Sequence, residues 1–195
     1  MRKQVFDETK KFMSVLMIIF CFLILTTVPM ALCSENAPNE VTMPTYTLSP
    51  IPINEKTNYQ DIQWLKRYIA DSLVISNDMK YLGTALMNIT FPSNNSNFVL
   101  ASKYANILYK DTQKALNNSG LYNVSSDLQS AKDEYQLEVL EAQSAAVYIS
   151  HGTDAYRKGK VEVGDSDMEK AVKSLHSVVV HANRTASLLK TYKSN

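Results

Sequence analysis

Residues 165–192, DSDMEKAVKSLHSVVVHANRTASLLKTY, decide the fold, because apolar side chains recur there at alternating spacings of three and four. The stripe comprises Met168, Ala171, Leu175, Val178, Ala182, Thr185, Leu189 and Tyr192. Three further residues widen it on one side: Val172, Val179 and Ala186. A stripe of this width is typical of a helix that buries one face in a bundle.

The same stretch carries signals for the start of its helix. Asp165 or Ser166 is the predicted N-cap, because short side chains with an acceptor oxygen satisfy the free N–H groups of a first turn. Asp167 and Glu169 then fall in that turn, where the helix dipole favours negative charge. His176 lies off the stripe, so we expect it to be exposed.

Three more segments with helical periodicity precede this one, at about 58–90, 97–117 and 125–158. The first has apolar positions at Ile62, Leu65, Ile69, Leu73, Met79, Leu82, Leu86 and Ile89, flanked by Trp64 and Tyr68. The second uses Ala101, Tyr104, Ala105, Leu108, Thr112, Ala115 and Leu116. The third uses Val124, Leu128, Ala131, Tyr135, Val139, Ala142, Ala146, Ile149 and Tyr156.

Turn residues separate these segments. Residues 91–95, FPSNN, end the first, since proline cannot continue a helix. Gly120 is predicted to end the second in the left-handed conformation. Ser125 or Ser126 can cap the third, and we expect Gly159 and Gly164 to break it.

Four amphipathic helices joined by short turns must bury their stripes against one another. The predicted fold is therefore all-α, an antiparallel four-helix bundle. No run alternates with period two, so the sequence gives no support for strands.

An export signal precedes the helical region, in the stretch FMSVLMIIFCFLILTTVPMALCS at residues 12–34. No charged residue lies between Lys11 and Glu35, and the basic excess before this stretch orients the N-terminus toward the cytoplasm. The densest apolar run, residues 15–25, has the length of a signal-peptide core, but the whole stretch is long enough to span a bilayer. Residues 1–33 are therefore predicted to be a signal peptide or an N-terminal membrane anchor.

Both outcomes place the rest of the chain outside the cytoplasm. Small residues at Ala31 and Cys33 favour cleavage after Cys33, whereas bulky Leu32 argues against a lipidated cysteine. Residues 34–57 contain four of the six prolines and are predicted to form an extended, Pro-rich linker. Residues 58–195 then form the helical bundle domain.

Composition excludes some partners. With residues 1–33 set aside, the chain carries 16 basic and 17 acidic residues. A surface without a basic excess is a poor match for nucleic acid. Both cysteines, Cys21 and Cys33, belong to the export segment, so packing and not a disulfide must stabilise the domain.

No catalytic, cofactor or metal site is predicted. His176 and His181 are five residues apart, so they lie on different sides of a helix and cannot share a metal as an i,i+4 pair does. His151 and Asp154 share a face and are interpreted as a solvated pair.

Two acidic features also receive a structural interpretation. Glu138 and Glu141 are predicted to form an exposed acidic edge of the third helix. Residues 165–167, DSD, lack the glycine and the terminal glutamate of a calcium loop and are interpreted as helix capping.

The motif Asn-x-Ser/Thr marks candidate N-glycosylation sites in an exported chain. It occurs at Asn88, Asn94, Asn117, Asn123 and Asn183. The first four bracket two predicted turns, and Asn183 lies off the apolar stripe, so a bundle can carry sugars at all five.

These features predict an exported, non-enzymatic helical-bundle protein of the cell envelope or exterior, acting by protein contact in a structural, adhesive or accessory role. The expected partner is an envelope or extracellular protein, together with the membrane if the N-terminal segment stays attached. The alternative is an extracytoplasmic ligand-binding or sensor-like module with a pocket lined by tyrosines such as Tyr104, Tyr135 and Tyr156. A cavity of about 300 Å³ or more with converging polar groups would favour that alternative.

Overall fold

The computed structural model describes residues 58–89 and 95–194, and no strand occurs in this part of the chain. Its helices are α1 (Tyr59–Met87), α2 (Asn95–Gly120), α3 (Ser126–Arg157) and α4 (Val161–Ser194). The all-α prediction is thereby confirmed for these residues. None of the four helices combines the length and the apolar character needed to cross a bilayer. The predicted export segment and linker lie outside the described residues.

Successive helices run in opposite directions. The indole N–H of Trp64, near the start of α1, donates to Ser119 Oγ near the end of α2 at 3.2 Å. Phe98, at the start of α2, packs on Tyr156 at the end of α3 with ring centroids 5.7 Å apart. Tyr156 Oη in turn donates to the carboxylate of Asp165, near the start of α4, at 2.6 Å. The four helices form a helical bundle in which α3 and α4 pack most closely.

Apolar side chains from all four helices make one continuous core. On α4, the predicted stripe residues Met168, Ala171, Leu175 and Val178 are buried, and so is Thr185. His176 is exposed. The predicted phase of this helix is therefore correct.

The predicted stripe of α1 is partly wrong. Leu73 is 44% exposed, whereas Trp64, predicted to flank the stripe, is fully buried. The buried face runs instead through Tyr68, Ser72 and Ile75 at spacings of four and three. Because Ser72 is polar, a search for apolar residues alone selects its neighbour Leu73.

The predicted start of α4 is also wrong. The helix begins at Val161, so Asp165 and Ser166 lie inside it and do not cap it, and Gly164 does not break it. Gly164 serves close packing instead, because a Cβ atom there would lie 2.6 Å from the ring of Tyr156. With that ring in place, Tyr156 Oη reaches the Asp165 carboxylate.

The other helix ends agree only in part with prediction. Gly159 follows α3 with a φ of 70°, as expected for a glycine that ends a helix. Gly120 is the last residue of α2 but does not have a positive φ. Ser125 is the N-cap of α3, yet its side chain makes no capping hydrogen bond. Its backbone N–H donates instead to the buried carboxylate of Asp61, at 2.7 Å.

A first prediction tests the phase of α4. Leu175→Ala should lower the free energy of unfolding by about 2 to 5 kcal/mol, because it leaves a cavity in the core. His176→Ala, the matched control, should change it by less than about 0.5 kcal/mol. Urea denaturation of both variants checks this, and equal losses would contradict the observed burial.

A second prediction tests the contact between α3 and α4. Gly164→Ala should destabilise the protein by about 1 to 3 kcal/mol, because the new methyl group overlaps the Tyr156 ring. Gly120→Ala is the control, since a Cβ there has no neighbour within 4 Å and φ is not positive. If both variants are equally stable in thermal melts, the Tyr156 ring can move away at no cost.

Candidate functional site

A group of polar side chains interrupts the core where α1 faces α3, and we call it the polar layer. Its members are Tyr68, Ser72, Tyr135 and Glu138. Tyr68, Ser72 and Tyr135 each occupy a position at which the three-and-four spacing of the helix calls for an apolar residue. Glu138 lies beside that spacing, one residue before the buried Val139, and is half-buried.

Aromatic rings form the apolar side of the polar layer. Tyr68 and Tyr135 meet edge to face, with ring centroids 4.9 Å apart and planes at 86°. Trp64 stacks on Tyr68 at 5.6 Å and contacts the edge of Tyr135 at 6.3 Å. Such arrangements add specific attraction to the burial of apolar area. They are the principal described side-chain contacts between α1 and α3.

Two hydroxyl groups of the layer lack hydrogen bonds. Within the described part of the chain, Ser72 Oγ and Tyr135 Oη have no partner, although both atoms are buried. Tyr135 as a whole is only 1% exposed. An unpaired buried hydroxyl costs about 1 to 3 kcal/mol. The Ser72 hydroxyl group is nevertheless near enough to Tyr68 and Tyr135 to lower the pKa of each phenol, which opposes the effect of burial. The hydroxyl groups of these three residues therefore lie close together.

The prediction that Glu138 lies on an exposed acidic edge is wrong. Its side chain is half-buried, and burial raises the pKa of its carboxyl group to about 8 from 4.5. Glu138 is therefore largely protonated at neutral pH, and a protonated carboxyl group can donate a hydrogen bond. Its contribution to stability is fully present below pH 4.5 and is lost as the pH rises through the folded-state pKa of about 8. Glu141, one turn further along α3, is also half-buried.

The two phenols respond to the same surroundings. Burial, and then the Glu138 carboxyl group, raises the pKa of Tyr68. Burial, and then the carboxylates of Asp71 and Glu138, raises the pKa of Tyr135. Both phenols therefore stay neutral across the physiological range, and Glu138 is the member of the layer that exchanges a proton there.

A pair of acidic residues, Asp78 of α1 and Asp111 of α2, lies between these two helices. Burial raises the pKa of Asp78 to about 6, and the charge of Asp111 and a hydrogen bond between the two carboxyl groups contribute further. Asp78 Oδ2 is buried and has no hydrogen-bond partner among the described residues. Because two neighbouring negative charges repel each other, the pair favours retention of one proton.

The tyrosines proposed to line a pocket do not meet. Tyr104 stacks on Tyr81 of α1, with ring centroids 5.7 Å apart. Tyr135 packs on Tyr68 in the polar layer, and Tyr156 packs on Phe98 near the α3–α4 turn. These are three separate places along the bundle.

A surface hollow of about 310 Å³ lies beside the α3–α4 turn. Its lining residues are His151, Asp154, Ala155, Lys158, Lys160, Val163 and Asp167. His151 is exposed, and Asp154 pairs with Arg157 at 3.0 Å and not with His151. The predicted His151–Asp154 pair is therefore wrong in its partner but correct in its exposure.

The remaining histidine, His181, takes part in a polar network between two helices that the sequence pattern did not reveal. His181 Nδ1 lies 2.6 Å from Glu134 Oε2, and Arg184 Nη1 lies 3.6 Å from Glu134 Oε1. These contacts join α4 to α3. In residues 58–89 and 95–194, no three His, Cys, Asp or Glu side chains are placed to bind a metal ion.

The candidate glycosylation sites lie at the surface wherever the structure describes them. Asn88, Asn117, Asn123 and Asn183 are exposed. Asn94 lies outside the described residues. In the motif at Asn117, the hydroxyl group of Ser119 is buried and accepts the Trp64 hydrogen bond. The motif hydroxyl of that site is therefore inaccessible in the folded domain.

Comparison with known proteins gives no relatives: no family model, curated protein sequence or solved structure matches the chain. Functional inference rests on the geometry of these residues.

A third prediction concerns the Asp78–Asp111 pair. Because the folded-state pKa of Asp78 lies above its ordinary value, stability should fall as the pH rises from about 4 through 6. Asp111→Asn removes the repulsion and should raise stability at pH 7 by on the order of 1 kcal/mol, a value reduced for solvent screening. At pH 4 the variant should match the parent protein.

The control is Asp133→Asn, which removes an exposed carboxylate on α3. Urea denaturation from pH 4 to 8 compares the three proteins. An unchanged pH profile for Asp111→Asn would show that the two carboxyl groups do not share a proton.

Proposed function

We propose that this protein is an exported, non-enzymatic helical bundle of the cell envelope or exterior that acts by contact with another protein. Residues 1–33 direct export as a signal peptide or anchor, and residues 34–57 separate the bundle from the membrane. The partner is an envelope or extracellular protein. The bundle is a glycoprotein wherever its host modifies the exposed Asn-x-Ser/Thr sites.

The filled core supports a contact role. The stripes of the four helices bury large side chains along the length of the bundle, including Trp64, Phe98, Leu128 and Leu175. The tyrosines that would line an internal pocket are packed against other rings instead. Recognition is then left to the outer surface.

The observation that carries the proposal is an apolar pair on the outer face of α3. Leu137 and Leu140 are each 44% exposed and three residues apart, so they lie side by side. Helix α3 contains no asparagine, so no N-linked sugar is attached along it. A protein that approaches this face can bury both leucines without meeting a glycan.

The position of the domain ends supports display of the bundle. Tyr192 Oη, near the end of α4, lies 3.4 Å from Asp61 Oδ2, near the start of α1. The linker therefore enters the bundle at the end where α4 finishes. The α3–α4 turn lies at the opposite end and points away from the attachment.

One observation favours the ligand-binding alternative. The hollow beside the α3–α4 turn reaches the lower size limit of a small-molecule site. Two of its carboxylates are already neutralised, Asp154 by Arg157 and Asp167 by Lys170. A small anionic molecule is the ligand that this lining would accept.

A fourth prediction tests the contact role on intact cells that express the full chain. A photo-crosslinking residue placed at Leu137 or at Leu140 should capture the same envelope or extracellular protein. The same residue at Lys173, an exposed position on α4, is the control and should not capture it. Leu140→Asp should weaken binding of the captured protein by about tenfold or more, since an unpaired carboxylate would be buried.

Other outcomes decide against the contact role. Equal capture at all three positions would mean that the leucines are not the interface. Specific retention of a small anion, lost in Lys158→Ala, would favour the ligand-binding alternative. Turnover in an activity screen, abolished by one His or acid substitution, would contradict both.

A further inference from the structure

Helices α1 and α4 are neighbours that do not pack closely along their lengths. Side chains join them at one end of the bundle, where Tyr192 Oη of α4 lies 3.4 Å from Asp61 Oδ2 of α1. Among the described residues, the helix pairs that pack closely are α1 with α2, α2 with α3 and α3 with α4. The bundle is therefore not closed between its first and last helices, and a gap runs between them.

Apolar side chains of α1 border this gap. Asp71 faces α2, because Asn118 donates to its carboxylate at 3.1 Å. Ile69 and Leu73 each lie two residues from Asp71, which in a helix of 3.6 residues per turn places them on nearly the opposite side. Ile62 lies seven residues before Ile69 and shares its side. Ile62 and Ile69 are half-buried, and Leu73 is 44% exposed.

Helix α4 presents a matching row. His181 faces α3, where its Nδ1 lies 2.6 Å from Glu134 Oε2. Val179 lies two residues before His181 and therefore on nearly the opposite side of the helix. Val172 and Ala186 lie seven residues from Val179 in either direction and share its side. The two valines are half-buried, and Ala186 is exposed.

These apolar residues line the gap from both helices, and we call them the α1–α4 seam. Its members are Ile62, Ile69, Leu73, Val172, Val179 and Ala186. In the sequence they widen the apolar stripes of both helices, yet the four-helix core leaves each of them half-buried or exposed. Because apolar surface stabilises a protein only when it is removed from water, the seam indicates a segment that packs over it.

The chain that leads into α1 has the composition to cover the seam. Between Glu40 and Glu55 it has no charged residue. Its apolar side chains there belong to Val41, Met43, Tyr46, Leu48, Ile51 and Ile53. Linkers that stay in water are rich in glycine, serine or charged residues instead. The prolines of this stretch favour the polyproline II conformation, which has three residues per turn, so Leu48 and Ile51 share a face.

This segment also reaches the seam with a suitable length. It joins α1 at Asn58, at the end of the bundle where α4 finishes, so it arrives at one end of the seam. If residues 54–57 reverse the direction of the chain, Ile51 lies about 9 Å and Leu48 about 19 Å along the seam, at 3.1 Å per residue.

The apolar residues of the two helices lie at corresponding distances. Measured from Tyr192 at 1.5 Å per residue, Ala186 lies about 9 Å and Val179 about 20 Å along α4. Measured from Asp61 in the same way, Leu73 lies about 18 Å along α1. The spacing of Leu48 and Ile51 therefore matches that of the side chains they would cover.

We infer that residues 44–53 bind back along the α1–α4 seam as a strap that runs antiparallel to α1. Ile51 then lies beside Ala186, and Leu48 lies beside Leu73. The strap holds α1 to α4, where the two helices have little packing of their own. The inference goes beyond the contact role and is independent of it, because it concerns the bundle and its linker alone.

Photo-crosslinking within the full chain tests the strap. A photo-crosslinking residue replaces Ile51 or Leu48, and mass spectrometry of protease digests identifies the joined peptides. At position 51 it should join the peptide that contains Ala186, and at position 48 the peptides that contain Leu73 or Val179. An equal mixture of isotope-labelled and unlabelled protein distinguishes crosslinks within one chain from crosslinks between two.

Charge substitutions make the test specific. Leu73→Asp places an unpaired carboxylate under the strap and should lower the crosslink yield from position 48 by about tenfold. Val99→Asp is the matched control on α2, since Val99 is 47% exposed, and should leave that yield unchanged. Far-UV circular dichroism checks that both variants stay helical. If Leu73→Asp loses helical signal, Ala186→Asp, at an exposed position, repeats the test for position 51.

Three results would overturn the inference. One is crosslinking to all four helices at similar yield, or none to α1 or α4, because the segment would then have no fixed place on the seam. Another is crosslinking only between labelled and unlabelled chains, which would assign the seam to a second copy. The third is an equal yield in Leu73→Asp and Val99→Asp, which would show that the segment contacts a different surface.

Discussion

Close approach of α3 and α4 is the constraint on which the rest of the bundle depends. A Cβ atom at Gly152 would lie 3.2 Å from Met168 and 3.3 Å from the carbonyl oxygen of Gly164. At Gly164, as noted, it would overlap the ring of Tyr156. Two glycines therefore set the distance between these helices at the turn, and buried alanines continue along α3 at Ala142, Ala145 and Ala146. The broad apolar face of this helical hairpin is the surface on which α1 and α2 complete the core.

The first helix is bound differently, since its contacts with α3 are aromatic and polar. Tyr68 and Ser72 stand where the spacing of α1 calls for aliphatic residues, and the hydroxyl group of Ser72 is left without a hydrogen bond. A leucine at such a position would stabilise the bundle more. Polar residues in a core can specify the alignment of helices at the expense of stability.

How much the sequence predicts differs from helix to helix for a physical reason. In α4 nearly every core position is apolar, so Met168, Leu175 and Val178 establish the correct phase without ambiguity. In α1 the same spacing passes through Ser72, and composition alone assigns that residue to the surface. Reading the spacing before the polarity would have found it. Glu138 of α3 lies beside the apolar spacing, next to the buried Val139, so the spacing does not reveal its partial burial. The start of α4 could not be predicted in this way, because Asp165 is a good N-cap residue whose role here depends on Tyr156, a tertiary contact.

The hydrogen bonds of Asp61 have a consequence for the order in which the domain can mature. This 1% exposed carboxylate accepts the N–H of Ser125 and lies within reach of the Tyr192 hydroxyl group. Residue 61 is synthesised first, and its carboxyl group gains these two contacts only after residue 125 and then residue 192 have been made. A nascent chain that has completed α1, α2 and α3 still has an unfinished buried acid at its first helix. The last turns of α4 therefore complete the start of the domain, and folding cannot finish in step with synthesis.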